Sequence, residues 1–213
     1  CTDRNLKMED FEGEKCWIGI DLASKVDLTA MVAVFKRDGK FYVFGKYYLP
    51  SDTVDRPEND HYRGWRDEGW LTVTQGARTD YHALEEDLQN WADKYAIQEV
   101  AYDPREAEYL MQNIREWAAF ECIEFTQSSA TFSEPMKEFE AAYLNGELFH
   151  QNDPILNFAA GNVVLKSTTN KLVYMTKTAN ENKIDPMVAM IMAIARAMED
   201  KEEEASDPFI MFL

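Results

Sequence analysis

The run Cys16-Trp-Ile-Gly-Ile-Asp21 decides how the rest of the chain is read. It is short, apolar and closed by a carboxylate, which predicts a buried strand with an acid at its carboxyl end. Residues 28–35 form a second apolar run. Arg37-Asp38-Gly39-Lys40 supplies the turn that follows, with Asp-Gly as the strong hairpin signal. Residues 41–49 return as a third strand, which Pro50 stops. The folded part of the chain thus opens with a three-stranded meander.

Beyond it, residues 51–60 read as a polar, acidic loop, residues 59–69 as a short helical or irregular segment, and residues 70–74 as a short extended piece. Leu84, Leu88, Trp91, Ala92 and Tyr95 follow helical spacing. Residues 98–102 read as a strand ending at Asp103, and Pro104 opens a helix to about residue 119. A strand is expected at 122–126 and a helix at 133–145, closed by Gly146. A short helix at 154–161 and a hairpin around Thr169-Asn170 come next. Residues 187–198 are apolar almost all round, the pattern of a helix buried in the domain. A meander followed by alternating strands and helices predicts an α/β fold, with a mixed sheet (antiparallel meander plus parallel strands) flanked by helices.

The chain has 213 residues and 46% hydrophobic composition, enough for one or two domains with a real core and too apolar for disorder. Its 22 Lys+Arg against 39 Asp+Glu give a net charge of −17. Such a balance repels anionic partners at long range and argues against a nonspecific DNA or membrane binder. The charge is uneven, however. Residues 1–15, 51–60 and 199–207 together hold −10 of the total, and 199–207 reads as a solvated acidic tail. Residues 163–183 carry four lysines against one acid, Glu181. No run of ~18 apolar residues is present, so no transmembrane helix is expected. Cys1, Cys16 and Cys122 form no disulfide framework or Cys-x-x-Cys, which favours a reducing compartment. His61, His82 and His150 are isolated and make no zinc pattern. The acidic first fifteen residues are neither a signal nor a transit peptide, and a start at Cys rather than Met suggests a fragment.

Nucleotide motifs are missing. Gly39-Lys-Phe-Tyr-Val-Phe-Gly45-Lys46 resembles a P-loop only superficially. It has five residues between the glycines, no Ser/Thr after the lysine, and a strand where a loop is needed. There is no Gly-x-Gly-x-x-Gly and no nucleophile elbow. The better signal is three aspartates at the ends of apolar elements: Asp21 and Asp103 after strands, and Asp185 at the start of the most buried helix. Ligands of open sheets bind outside the strand ends, so Asp21 and Asp103 meet there if their strands are adjacent. Converging carboxylates repel one another unless cations intervene, and oxygen-only donors select hard ions such as Mg²⁺ or Mn²⁺. Two such ions can activate a water and stabilise the leaving oxygen of a phosphodiester. Yet Asp-Pro occurs four times, at Asp103, Asp153, Asp185 and Asp207, and Asp as N-cap before Pro is also ordinary helix punctuation. Spacing and burial alone leave the choice open.

Ile18-Gly-Ile-Asp21-Leu-Ala-Ser-Lys-Val-Asp27-Leu-Thr-Ala30 resembles the opening nuclease motif of large terminase subunits from tailed bacteriophages. Lys183-Ile-Asp185-Pro-Met-Val-Ala189-Met-Ile-Met-Ala193 resembles their closing motif, the more specific of the two, and Ala101-Tyr-Asp103-Pro is similar to their middle carboxylate. Residues 133–162 match in style. The resemblance spans nearly all of residues 16–199 and points to the HK97-type nuclease domain. It implies an RNase H-like fold and a two-metal endonuclease, using Mg²⁺ or Mn²⁺, that cuts concatemeric double-stranded phage DNA to genome lengths and leaves 5′-phosphate and 3′-hydroxyl ends. Residues 1–15 would be the linker from a missing N-terminal ATPase motor, and residues 200–213 an acidic tail. The implied partners are that motor, a small terminase subunit and the portal of the procapsid, in the host cytoplasm and without a membrane.

Carried onto this sequence, the resemblance makes Asp21 the bridge between two metals, with Asp103 and Asp185 each completing one site. Asp27 matches a further acidic position. It is either a ligand, a residue holding a metal water or Lys25, or an exposed residue at the start of the second strand. Lys177 matches a lysine the family tends to carry. With Lys166, Lys171 and Lys183 it forms the candidate DNA contact, since phosphate contacts supply most nonspecific affinity. Two other readings compete. An actin-like ATPase also opens on Ile-Gly-Ile-Asp, but it needs a glycine-bearing phosphate loop that Leu22-Ala23-Ser24-Lys25 lacks. A non-catalytic docking module of the packaging motor would hold one aspartate away from the other two. Holliday-junction resolvases and transposases share the implied fold.

Overall fold

The computed structural model describes residues 2–22, 27–179 and 182–200. Along the chain run β1 (Lys15–Asp21), β2 (Thr29–Arg37), β3 (Lys40–Pro50), α1 (Ser51–Val54), α2 (Asp60–Asp67), β4 (Leu71–Thr74), α3 (Tyr81–Ala92), β5 (Ala96–Tyr102) and α4 (Pro104–Trp117). There follow β6 (Glu121–Glu124), α5 (Ser129–Leu144), β7 (Leu148–His150), α6 (Pro154–Asn162), β8 (Val164–Ser167), β9 (Val173–Thr176) and α7 (Asp185–Ala197). The sheet has the order β4-β3-β2-β1-β5-β6, with β7 also on β3, and β8 and β9 pair separately. The meander is antiparallel, whereas β5 lies parallel to β1 and β6 parallel to β5.

The predicted meander forms because its turn has the required chemistry. Asp38 and Gly39 both take positive φ, 51° and 71°, as a tight two-residue hairpin requires. The strands read as unbroken apolar runs because both faces of the sheet are covered. Alternate residues go to opposite layers. Trp17, Ala30, Val32 and Val34 join α5, α6 and α7, while Ile18, Ile20, Met31, Ala33 and Phe35 join α3 and α4. α7 is buried on nearly every side, as its composition predicts.

Three local differences from the sequence reading have physical causes. The predicted loop at 51–60 contains the helical turn α1 and a 3-10 turn, Pro57–Asn59. α5 begins at Ser129, not 133, because Ser128 forms a capping box with Thr131 and so sets the start upstream of Pro135. β7 is three residues long, too short to show a period, and is defined by its pairing with β3. The segment ahead of β1, expected as linker, lies against the domain. Phe11 is buried beside Phe35 and Phe44, and Thr2 bridges to His150. Most of the acidic tail, including Asp207, and Lys25 lie outside the described residues. Among the described residues no helix is long and apolar enough to cross a membrane.

Gly19 fixes how α7 meets the sheet. A Cβ built there would fall inside the contact distance of the Ala189 carbonyl oxygen. The α7 backbone therefore rests on the β1 backbone, where any larger residue would hold the two apart.

Candidate active site

Three elements deliver the acids. The register Ile20↔Tyr102 places Asp21 and Asp103 side by side, one residue past the paired ends of two parallel strands. α7, seated on Gly19, starts at Asp185 on the same rim. The pairwise fields agree: Asp21 is acted on by Asp185 and by Asp103, and Asp185 by Asp27. The four sequence-predicted carboxylates are thus gathered at one end of the sheet.

Their surroundings differ. Burial and then the Asp185 charge push Asp21 well above the usual carboxylate range, while Gln127 Nε2 donates a 2.8 Å hydrogen bond to its Oδ1. Burial lifts Asp185 to about 6. Its Oδ2 is buried and has no hydrogen-bond partner among the described residues. Burial acts on Asp103 too, but its contacts with Arg105 outweigh this and hold it below the usual range. Asp103 caps α4 by accepting the Arg105 backbone N–H at 3.0 Å. Asp27 is paired with Lys183. Among the described residues, no three His, Cys, Asp or Glu side chains stand close enough together to hold one ion as they are.

The Asp-Pro ambiguity resolves here. Asp153 is a plain helix cap, buried, its carboxylate shared between the Ile155 and Leu156 N–H groups and the Tyr47 hydroxyl at 2.5 Å. Asp103 also caps its helix. Asp185 does not occupy the cap position: it is the first helical residue, after Ile184 at the cap. A buried carboxylate oxygen with no donor among the described residues, beside other carboxylates, feels the Lys177 and Lys183 charges but lacks a bonded positive partner. A hard cation would supply one, so the residues fit a divalent ion. Mg²⁺ typically takes only one or two carboxylates and completes its shell with water and phosphate.

The candidate lysines separate. Lys166 and Lys171 are exposed on the β8–β9 hairpin, with Lys171 at its turn. Lys177 follows β9, and its charge acts on both Asp21 and Asp185. Lys183 is directed instead to Asp27, with its side chain only 12% exposed. Sequence reading passes over two residues. Gln127 lies just past β6, a strand end on the same rim, and Arg105 sits two residues after Asp103. The strand-end rule that finds the aspartates points to both.

A mixed sheet with acids at the ends of its central parallel strands and on a helix laid across them is the RNase H-like arrangement, and its structural neighbours are terminase nuclease domains. The family model described as "Terminase large subunit, endonuclease domain" matches residues 3–201, and the chain belongs to that family. It is 35% identical over 222 residues to Protein YmfN of Escherichia coli (strain K12), covering 97% of this chain and 49% of the relative. It is 27% identical to the large terminase subunit of Enterobacteria phage HK97, covering 91% and 39%. The crystal structure of the HK97 large terminase superposes with a TM-score of 0.78 at 26% identity, over 91% of this chain and 43% of that one. The fold is also that of the SPP1 large terminase nuclease domain solved with bound Mn, with a TM-score of 0.56 at 8% identity over 93% and 96% of the chains. The chain spans about half or less of the length of these curated relatives.

Proposed function

We propose that this chain is a divalent-metal-dependent endonuclease that cuts concatemeric phage DNA during packaging, by two-metal hydrolysis of the phosphodiester. The observation that carries this reading is the orphaned Asp185 Oδ2 beside a second buried carboxylate, Asp21, whose strongest carboxylate influence is Asp185 itself. Asp21 would face both ions, Asp103 one and Asp185 the other, with Asp27 joining through Lys183 or as a further ligand. When bound, such ions neutralise charge on the phosphodiester and acidify water. The chain's own part is positional: Gln127 orients Asp21, and Gly19 sets the approach of Asp185. Lys166, Lys171 and Lys177 are the proposed cationic side of the DNA path, while Lys183, the fourth candidate, is held by Asp27. Large terminase nuclease domains of phages G20c and SPP1 were crystallised with bound magnesium and manganese, which supports the choice of ions.

In this reading residues 1–15 end a linker from a preceding ATPase domain, residues 16–199 form the nuclease, and residues 200–213 are an acidic tail. Small terminase subunit, portal and host cytoplasm follow from the packaging role. The test is Mn²⁺-dependent plasmid cleavage. Asp21→Ala, Asp103→Ala and Asp185→Ala should each abolish it with the circular-dichroism spectrum unchanged. Full activity in any one of them would remove the two-metal assignment.

A further inference from the structure

Both oxygens of Asp103 are already taken. Oδ1 accepts the Arg105 backbone N–H at 3.0 Å and Arg105 Nε at 3.1 Å; Oδ2 accepts Nε at 3.1 Å and Nη2 at 2.6 Å. The two partners are unequal in mobility. Asp103 is 6% exposed and pinned as a helix cap, whereas the Arg105 side chain is 70% exposed. An ion bonded to Asp103 stands ~2 Å from its oxygen. A guanidinium forked over the same two oxygens competes with it, because two cations sharing one carboxylate repel each other and divide its charge. The exposed arginine is the partner able to move, and the capped aspartate is not.

We propose that Arg105 is a metal-linked latch, which holds Asp103 while no ion is bound and turns onto a DNA backbone phosphate when an ion takes Asp103. The inference rests on the metal-dependent reading above. The guanidinium already lies in the field of Asp21 and Glu106, at the mouth of the site. A long exposed stem lets it turn outward, where the scissile strand must pass. Its planar fork suits a phosphate as well as a carboxylate. Lys183, by contrast, has a partner in Asp27 that is separate from this exchange. Ion and DNA then reinforce one another: each draws away the partner that blocks the other, and the coupling is reciprocal.

The experiment compares the wild-type chain with Arg105→Ala and Arg105→Lys. Mn²⁺ alone is titrated calorimetrically. A 20-base-pair duplex is then bound across a salt series without divalent ion and again with Ca²⁺, and gels check that the duplex stays intact. Arg105→Ala should bind Mn²⁺ about two- to fivefold more tightly, the size of an exposed ion pair removed. With Ca²⁺ its slope of log affinity against log salt should be smaller by about 1, because one phosphate is no longer neutralised. Without divalent ion the two slopes should agree, because Arg105 is then on Asp103. Arg105→Lys should retain the slope while holding Asp103 less well. Unchanged or weaker Mn²⁺ binding in Arg105→Ala, or equal slopes in Ca²⁺, would overturn the latch alone. A wild-type chain that binds no Mn²⁺ would instead overturn the metal-dependent reading on which it stands.

Discussion

Asp185 opens α7 as its first residue, one past the cap position, and among the described residues its inner oxygen has no donor. Such a group stores destabilisation for use elsewhere. Its consequence is a pH dependence whose sign is fixed. The folded-state pKa of Asp185, about 6, lies above its unfolded value near ~4, and that of Asp21 is raised too. The folded chain therefore binds protons that the unfolded chain releases. Stability from these two groups is fully present below pH ~4 and is lost as pH rises through their folded values. A divalent ion reverses the loss, since it replaces the proton. In thermal scans, Mn²⁺ should raise the melting temperature more at pH 7 than at pH 5, and Asp185→Asn should flatten the metal-free decline between those values. An equal Mn²⁺ effect at both would contradict the assignment. At this scale the sequence reveals the acids and hides their partners. A carboxylate at a strand end leaves a trace in the apolar pattern, whereas Gln127 and Arg105 acquire meaning only from where β6 and α4 place them.

Among elements, the meander and α7 are legible because each carries its own signal, an Asp-Gly turn and an all-round apolar helix. The seat of α7 is not. It depends on one missing side chain at Gly19, and a glycine inside an apolar strand could as readily mark a bulge. Gly19→Ala should act on that contact directly. The Ala189 carbonyl would have to shift, and overpacking of this kind costs about 1–3 kcal/mol. For a chain of this length that lowers the melting temperature by roughly 2–12 °C. Cleavage should fall further than stability, since moving α7 separates Asp185 from Asp21. A variant with the lowered melting temperature but undiminished cleavage per folded molecule would show that the close approach serves packing only. β7 and the start of α5 are hidden for a different reason: a three-residue edge strand and a Ser–Thr capping box carry less pattern than the helix they adjoin.

For the whole molecule, the net charge of −17 first reads as an argument against DNA. Part of it lies ahead of β1, at the end of that strand opposite Asp21, and part is the acid cluster that divalent ions would neutralise. What persists is a long-range field that opposes a polyanion, so the isolated chain should hold DNA weakly and release it steeply with salt. The lysines then contribute according to their placement, not their number. Lys166 and Lys171 project from the hairpin, and each phosphate they engage adds roughly 0.9 to the salt slope. Replacing both with alanine should lower the slope for a 20-base-pair duplex by about 2, with the melting temperature little changed. Lys183→Ala should do the reverse: it leaves Asp27 without its partner beside Asp185, so the melting temperature should drop while the slope hardly moves. If Lys183→Ala reduced the slope as much as either hairpin change, Lys183 would have to leave Asp27 for the phosphate, and the DNA path would run across the carboxylate rim, not along the hairpin.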